Sequence, residues 1–191
     1  MRTFLFLFSL CMAITAFAQD DSSWEVNHYE HTRTFVEEGY TYQCDVKYGY
    51  VTLYNAANQW TYADQIDNRT GKLYTSNLGE NDVFEMSDET AKAIIRIIDL
   101  SFSQEEARRI TDSGFMLTLF FSPVTGDLAE VCFNFSIFEA SARIPISYYR
   151  DIELQLKEQV RVKVLEGGKH LTYLMTCVTH APEGRLSVMQ P

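Results

Sequence analysis

The sequence predicts an α+β fold: an antiparallel sheet with two main helices packed on one face. Three observations lead there. Apolar residues alternate at period two in runs near 40–50, 129–137 and 159–165, the pattern of half-buried strands, and the apolar runs 115–121 and 171–178 read as strands beside them. At 88–98 and 148–157 the apolar spacing changes to three and four, the pattern of a helix with one buried stripe. The second half then reads helix, strand, strand, helix, strand, strand. Strands and helices that do not alternate singly favour an antiparallel sheet over parallel βαβ units.

The chain opens on Arg2, an apolar run from Phe4 to Ile14, and Ala16-Phe17-Ala18 ahead of Gln19. A positive start, a short apolar core and a small-x-small site form a cleavable signal peptide. The run is shorter than the roughly 20 residues needed to cross a bilayer. Residues 1–18 are therefore expected to be removed, leaving a soluble protein from Gln19 that is secreted or periplasmic and not inserted in a membrane. Cys11 is a poor lipidation site because Leu10 stands where lipoprotein processing takes a small residue.

Residues 19–191 read as one domain. Positions 19–39 are polar, with Trp24 and Tyr29 as isolated anchors. Tyr40, Tyr42, Cys44, Val46, Tyr48 and Tyr50 then recur at period two, giving one strand or two turning near Gly49. Residues 55–82, rich in Asn, Asp and Gly, read as turns with short strands around Trp60 and Leu73. Ser87 is a candidate N-cap, with Asp88 and Glu89 in the first turn beyond it. Ser103 and Glu106 have capping-box spacing for a short helix through Ile110, which Gly114 ends. Phe115–Phe121 is apolar on both faces and reads as a covered strand, hairpinned through Ser122–Asp127 to the alternating run Val131–Ile137. Pro145 and Ser147 open the next helix. Glu166-Gly167-Gly168-Lys169 reads as a hairpin turn between the last two strands, and the tail after Pro182 as loose.

Hydrophobic content of 46% and aromatic content of 14% support a packed core. The formal charge is −10, and loss of Arg2 lowers it by one. Such a surplus argues against nucleic acid and anionic membrane surfaces, which attract basic patches. Cys44, Cys132 and Cys177 have no metal or redox spacing. One disulfide with a free thiol, and three thiols, both remain open.

The chemical motifs are sparse. His28 and His31 form an H-x-x-H pair that could share a helix face and hold a metal, but no third ligand is set by spacing, so no cofactor is expected. No nucleophile elbow, zincin, phosphate-loop or dinucleotide fingerprint occurs. Cys132 with His170 or His180 would need an orienting third group, and none is evident. The tyrosines are more distinctive, since eight of the eleven lie from Tyr29 to Tyr74. Tyr40, Tyr42, Tyr48 and Tyr50, with Trp60, could offer one aromatic face for sugars or apolar side chains. Alternatively that face packs beneath the helix at 88–98.

The segments SQEEARRI, FMLTLFFSPVTGDLAEVCF, LKEQVRVKV and GGKHLTYL make the part from 87 to 180 similar to the C-terminal domain of TonB-type energy transducers. The chain lacks that family's uncleaved anchor and Pro-rich spacer, so energy transduction is not implied. The resemblance implies a helix-covered antiparallel sheet whose edge pairs with peptide segments by strand addition. The chain also resembles small uncharacterised secreted proteins of Bacteroidetes, which imply no activity. The function expected is an exported, non-catalytic module binding a protein or peptide in the cell envelope. A carbohydrate-binding module built on the Tyr/Trp cluster is the first alternative, and a hydrolase with a cryptic site the second. If the strand at 171–178 lies at a sheet edge, it should recruit a peptide or a second copy as a homodimer, because it carries neither proline nor charge.

Overall fold

The computed structural model describes residues 25–37, 39–75, 83–110 and 115–183. The expected signal peptide, Cys11, Trp24, Gly114 and the tail beyond Glu183 lie outside the described residues. In chain order the strands and helices are β1 (Arg33–Glu37), β2 (Tyr40–Lys47), β3 (Tyr50–Asn55), β4 (Ile66–Asp67), β5 (Lys72–Leu73), β6 (Phe84–Glu85), α1 (Asp88–Leu100), α2 (Gln104–Ile110), β7 (Phe115–Phe121), β8 (Leu128–Ser136), α3 (Ile146–Gln159), β9 (Lys163–Val164) and β10 (Leu174–His180). Six strands form one sheet in the order β1-β2-β3-β8-β7-β10, every neighbouring pair antiparallel. The fold is α+β, as the periodicity predicts.

The helix starts follow from local chemistry. Ser87 accepts from the Thr90 backbone N–H, with Asp88 and Glu89 in the first turn. At α2 the capping box closes in both directions: Glu106 N–H donates to Ser103 Oγ at 3.2 Å, and Ser103 N–H donates to the Glu106 carboxylate at 2.7 Å. Each cap satisfies backbone donors that have no carbonyl within the helix.

One face of the sheet and the helices enclose the core. Tyr42, Cys44, Leu53, Leu117, Leu119, Val131 and Phe133 are buried there, with Ile94, Ile97 and Ile98 of α1 and Ile152 and Leu156 of α3. Tyr149 of α3 lies against Phe133 and Phe135 of β8, with ring centroids 4.8 and 5.5 Å apart. Tyr29 is the anchor expected of it: buried, its hydroxyl donates to the Ile144 carbonyl at 2.8 Å.

Four details differ from the sequence expectation. Tyr40 and Tyr42 lie beneath α3, through Arg150 and Glu153, rather than beneath the helix at 88–98. The segment 159–165 does not enter the main sheet. Only Lys163–Val164 is extended, and it pairs with β6. The turn at 166–169 makes no hairpin, because a 3-10 turn at Gly168–His170 leads into Thr172, whose N–H and hydroxyl both bond Ile66 at 3.0 Å. That tie carries the chain across to β7, where β10 pairs. Trp60 sits in a turn, while Arg33–Glu37, within the polar stretch 19–39, is a strand.

Candidate functional site

The second face of the sheet carries no helix. Register places Gln43, Tyr54, Cys132, Thr118 and Cys177 in one cross-strand row, and Asp45, Thr52, Asn134 and Met116 in the next. Side-chain hydrogen bonds run along and between these rows. Thr52 donates to Asn134 at 3.3 Å, and Asn134 donates to Thr118 at 3.2 Å. Hydroxyls and amides thus replace the apolar side chains of the opposite face.

The turn region after β3 folds over one end of this face. Its anchor is Glu130, a buried carboxylate that accepts the backbone N–H groups of Gln59 at 2.7 Å and Trp60 at 2.9 Å. Trp60 then packs on Tyr173 with Phe120 and Cys132 beneath. A second tether is Asp45, which accepts from Gln43 at 2.8 Å and from the Tyr54 and Tyr62 hydroxyls at 2.9 Å each. Burial raises the Asp45 pKa, but the three hydrogen bonds outweigh it and hold the carboxyl below its ordinary range. Burial and the bond to Asp45 push Tyr62 up to about 12. A carboxylate depressed in the folded state stabilises above its unfolded pKa and loses that contribution as pH falls through the folded value. The tether is therefore expected to hold from neutral pH down to about pH 4 and to release in stronger acid. Asp45→Ala should cost about 1–2 kcal/mol and expose the 56–65 segment to proteolysis at neutral pH; cleavage no faster than in the wild type would refute the tether.

The hydrogen-bond parity of the sheet starts at its tightest turn. Tyr48 and Gly49 both have positive φ, 54° and 81°, which makes a two-residue turn of the twist that suits a hairpin. Such a turn closes on Lys47 and Tyr50 as a bonded pair, and antiparallel bonding then alternates. Tyr50, Thr52 and Tyr54 bond β2, so Val51 and Leu53 bond β8. The 2.9 Å bonds from Ile137 N–H to Gly49 and from Ala56 N–H to Thr41 agree. Carried on, Leu117, Leu119 and Phe121 face β10, and Leu174, Thr176 and Val178 answer them. Met175, Cys177 and Thr179 therefore point their N–H and C=O groups away from the sheet, with no partner strand among the described residues. Strand 171–178 does end at an edge, as Leu174–His180.

The structure divides the aromatic candidates. Tyr42 is buried, its hydroxyl donating to the buried carboxylate of Glu153, and Tyr40 is half-buried under Arg150. Tyr48 occupies the turn and Tyr50 points to the helix-free face, because the turn reverses the chain. These four rings do not share a face, and Trp60 stands apart on Tyr173. Phe138, a fully displayed ring next to Gly49, was not among the sequence candidates. His28 and His31 lie in bends rather than on a helix, and no group of three or more metal-ligating side chains occurs among the described residues. Cys132 meets Thr61 at 3.4 Å instead of a histidine, and burial pushes its thiol up to about 11; His180 is bonded to Asp99. Cys44, Cys132 and Cys177 are all thiols. On the helix side a cleft of about 670 Å³ is lined by Ser103, Glu106, Tyr148 and Asp151, but Glu106 is already engaged as the α2 cap and by the Tyr148 hydroxyl.

A family model described as a domain of unknown function, DUF5043, matches residues 25–178. The chain belongs to the DUF5043 family. A crystal structure of a DUF5043 family protein from Bacteroides uniformis is similar to it at 40% identity and a TM-score of 0.79, over 84% of this chain and 96% of that one. No curated protein matches. The DUF5043 match therefore spans every strand of the main sheet except the last two residues of β10. It does not extend to the transducer resemblance, so any case for strand addition rests on β10 itself.

Proposed function

We propose that the chain is an exported, non-catalytic module that binds an extended protein or peptide segment by strand addition at β10. The observation that carries this is the outward backbone of Met175, Cys177 and Thr179 on a strand without charge or proline. The other edge differs: β1 is shorter and begins and ends on charges, Arg33 and Glu37. Charges and short length discourage pairing, and β10 has neither protection. A segment lying along β10 would gain main-chain hydrogen bonds whatever its sequence, with its alternate side chains reading the two faces. Burial holds Cys132 as the thiol, and Cys132 meets Thr61 rather than a histidine, which argues against Cys132 as a nucleophile.

Proline separates edge recognition from sheet integrity. Cys177→Pro removes an outward N–H and no backbone bond within the sheet, losing besides only the 3.8 Å contact of Cys177 Sγ with the Thr118 hydroxyl that Cys177→Ala loses too, so it should abolish capture of peptides selected from a displayed library while the protein stays folded. Cys177→Ala should bind as the wild type does. Val178→Pro removes a bond to β7 and should destabilise the fold. Hydrogen exchange should show the amides of 175, 177 and 179 becoming protected on peptide binding. Retained binding by Cys177→Pro, or no selected peptide at all, would refute the proposal. Self-association lost in Cys177→Pro would assign the edge to a second copy instead.

A further inference from the structure

At the corner where β2 turns into β3, three aromatic rings stand in solvent. Tyr48 is 91% exposed, Tyr50 69% and Phe138 85%. They are neighbours: Gly49 links the two tyrosines, and a Cβ placed on Gly49 would lie 3.4 Å from the Phe138 ring. The Ile137 N–H bond to the Gly49 carbonyl at 2.9 Å fixes the end of β8 beside this turn. A phenylalanine so displayed is uncommon, because burying such a ring is worth roughly 1.5–3 kcal/mol. Tyr48 also holds a positive φ of 54°, a conformation that Asn or Gly would adopt at less cost. These rings neither fill the core nor take part in the Asp45 tether.

We infer that this corner is a binding site for neutral carbohydrate, separate from the β10 edge and independent of the strand-addition reading. The patch is built of flat rings with hydrogen-bonding groups at their margin. Ser136 is the direct cross-strand neighbour of Tyr50, Lys47 faces Tyr50 on the other side, and the Lys47 ammonium lies 5.5 Å from the Tyr48 ring centroid. A pyranose has the matching construction, an apolar C–H face with hydroxyls around its rim. Tyrosine suits such a ligand, being apolar along the ring and wet at the hydroxyl. Charge selects among occupants. A chain of net charge −10 is repelled by anionic bilayers, and one lysine at the corner does not offset it. The same surplus disfavours acidic polysaccharides, leaving neutral ones.

The test uses the chain from Gln19 with four neutral probes, the hexasaccharides of cellulose, starch amylose, xylan and chitin, in titration calorimetry. At least one should bind, and the variant Tyr48→Asn, Tyr50→Thr, Phe138→Ser should weaken it at least about tenfold, the loss of one good stacking contact. All three rings are exposed, so the variant should melt as the wild type does, and Tyr48→Asn suits the turn. Cys177→Pro should leave sugar binding unchanged, which separates failure here from failure at β10. No binding by any of the four sugars, or equal binding by the triple variant, would overturn the inference. So would co-sedimentation with phosphatidylcholine vesicles that the triple variant loses while the sugars do not compete, since the corner would then be a bilayer contact.

Discussion

Glu153→Ala is expected to lower the melting temperature of this protein by several degrees. Glu153 is buried on α3, and three groups converge on its carboxylate: the Tyr42 hydroxyl, Arg150 at 3.1 Å and Lys157 at 2.5 Å. Removing the acceptor leaves a buried tyrosine hydroxyl and two cations without their counter-charge. Burial and the neighbouring carboxylate hold the Tyr42 pKa far above the ordinary range, so the hydroxyl stays a donor and cannot ionise to adapt. Breaking a fully buried pair costs about 3–5 kcal/mol. Arg150 and Lys157 keep 21% and 29% of their side-chain surface, so they turn partly to water, and about 2–4 kcal/mol is the expected loss. At this chain length that is about 5–15 °C. Glu153→Gln keeps an acceptor for Tyr42 and should cost roughly half as much. Calorimetric melting of the two variants decides it; equal and small shifts would mean that the cluster adds no stability.

The second large effect is expected at Gly126, in the turn between β7 and β8. Its φ is +75°, and an added Cβ would stand 2.0 Å from the Val162 carbonyl oxygen. Gly126 also accepts the Val162 N–H at 2.9 Å, so the turn and the 160–164 segment are held backbone to backbone. Gly126→Ala must displace that segment, losing this bond and the burial of Val160 and Val162. The expected cost is about 3–5 kcal/mol, a large part of the stability of a typical domain. Gly71→Ala is the control: it shares a positive φ, +66°, but has nothing within 4 Å of its Cβ. It should cost only about 1 kcal/mol, the backbone penalty alone. Denaturant melts of both variants separate contact from conformation, and equal losses would put the Gly126 effect down to its φ.

The helix-free face, the β10 edge and the aromatic corner were visible in the sequence to different degrees. The edge was visible in part, because 171–178 carries no charge or proline and reads as strand. Its position beside β7 was not, since the double-glycine turn suggested a hairpin with 159–165 that the Thr172 ties to Ile66 preclude. The corner was half visible. Tyr48 and Tyr50 stand out, but their period-two spacing groups them with Tyr40 and Tyr42, which the turn sends elsewhere. Phe138 falls one position past the alternating run that ends at Ile137, out of its phase and far in sequence from the tyrosines, so nothing local marks it.

What the sequence determined by itself is local. Ser87, the Ser103–Glu106 box and the turn at Gly49 act through groups a few residues apart, so their chemistry is complete without the rest of the chain. The α+β order follows likewise, because a change of period from two to between three and four needs only a dozen residues to register. The tertiary structure alone decided which strands distant in sequence are neighbours, which sheet face receives the helices, and which rings remain in water. Alternation shows that a strand has two unlike faces. It carries no information on what covers either one, and Val160, Val162 and Val164 alternate like a sheet strand although only Lys163–Val164 is extended, paired with β6. Burial and edge position are properties of segments brought together from 100 or so residues apart, as Tyr42 and Glu153 are, and those contacts exist only once the sheet has closed.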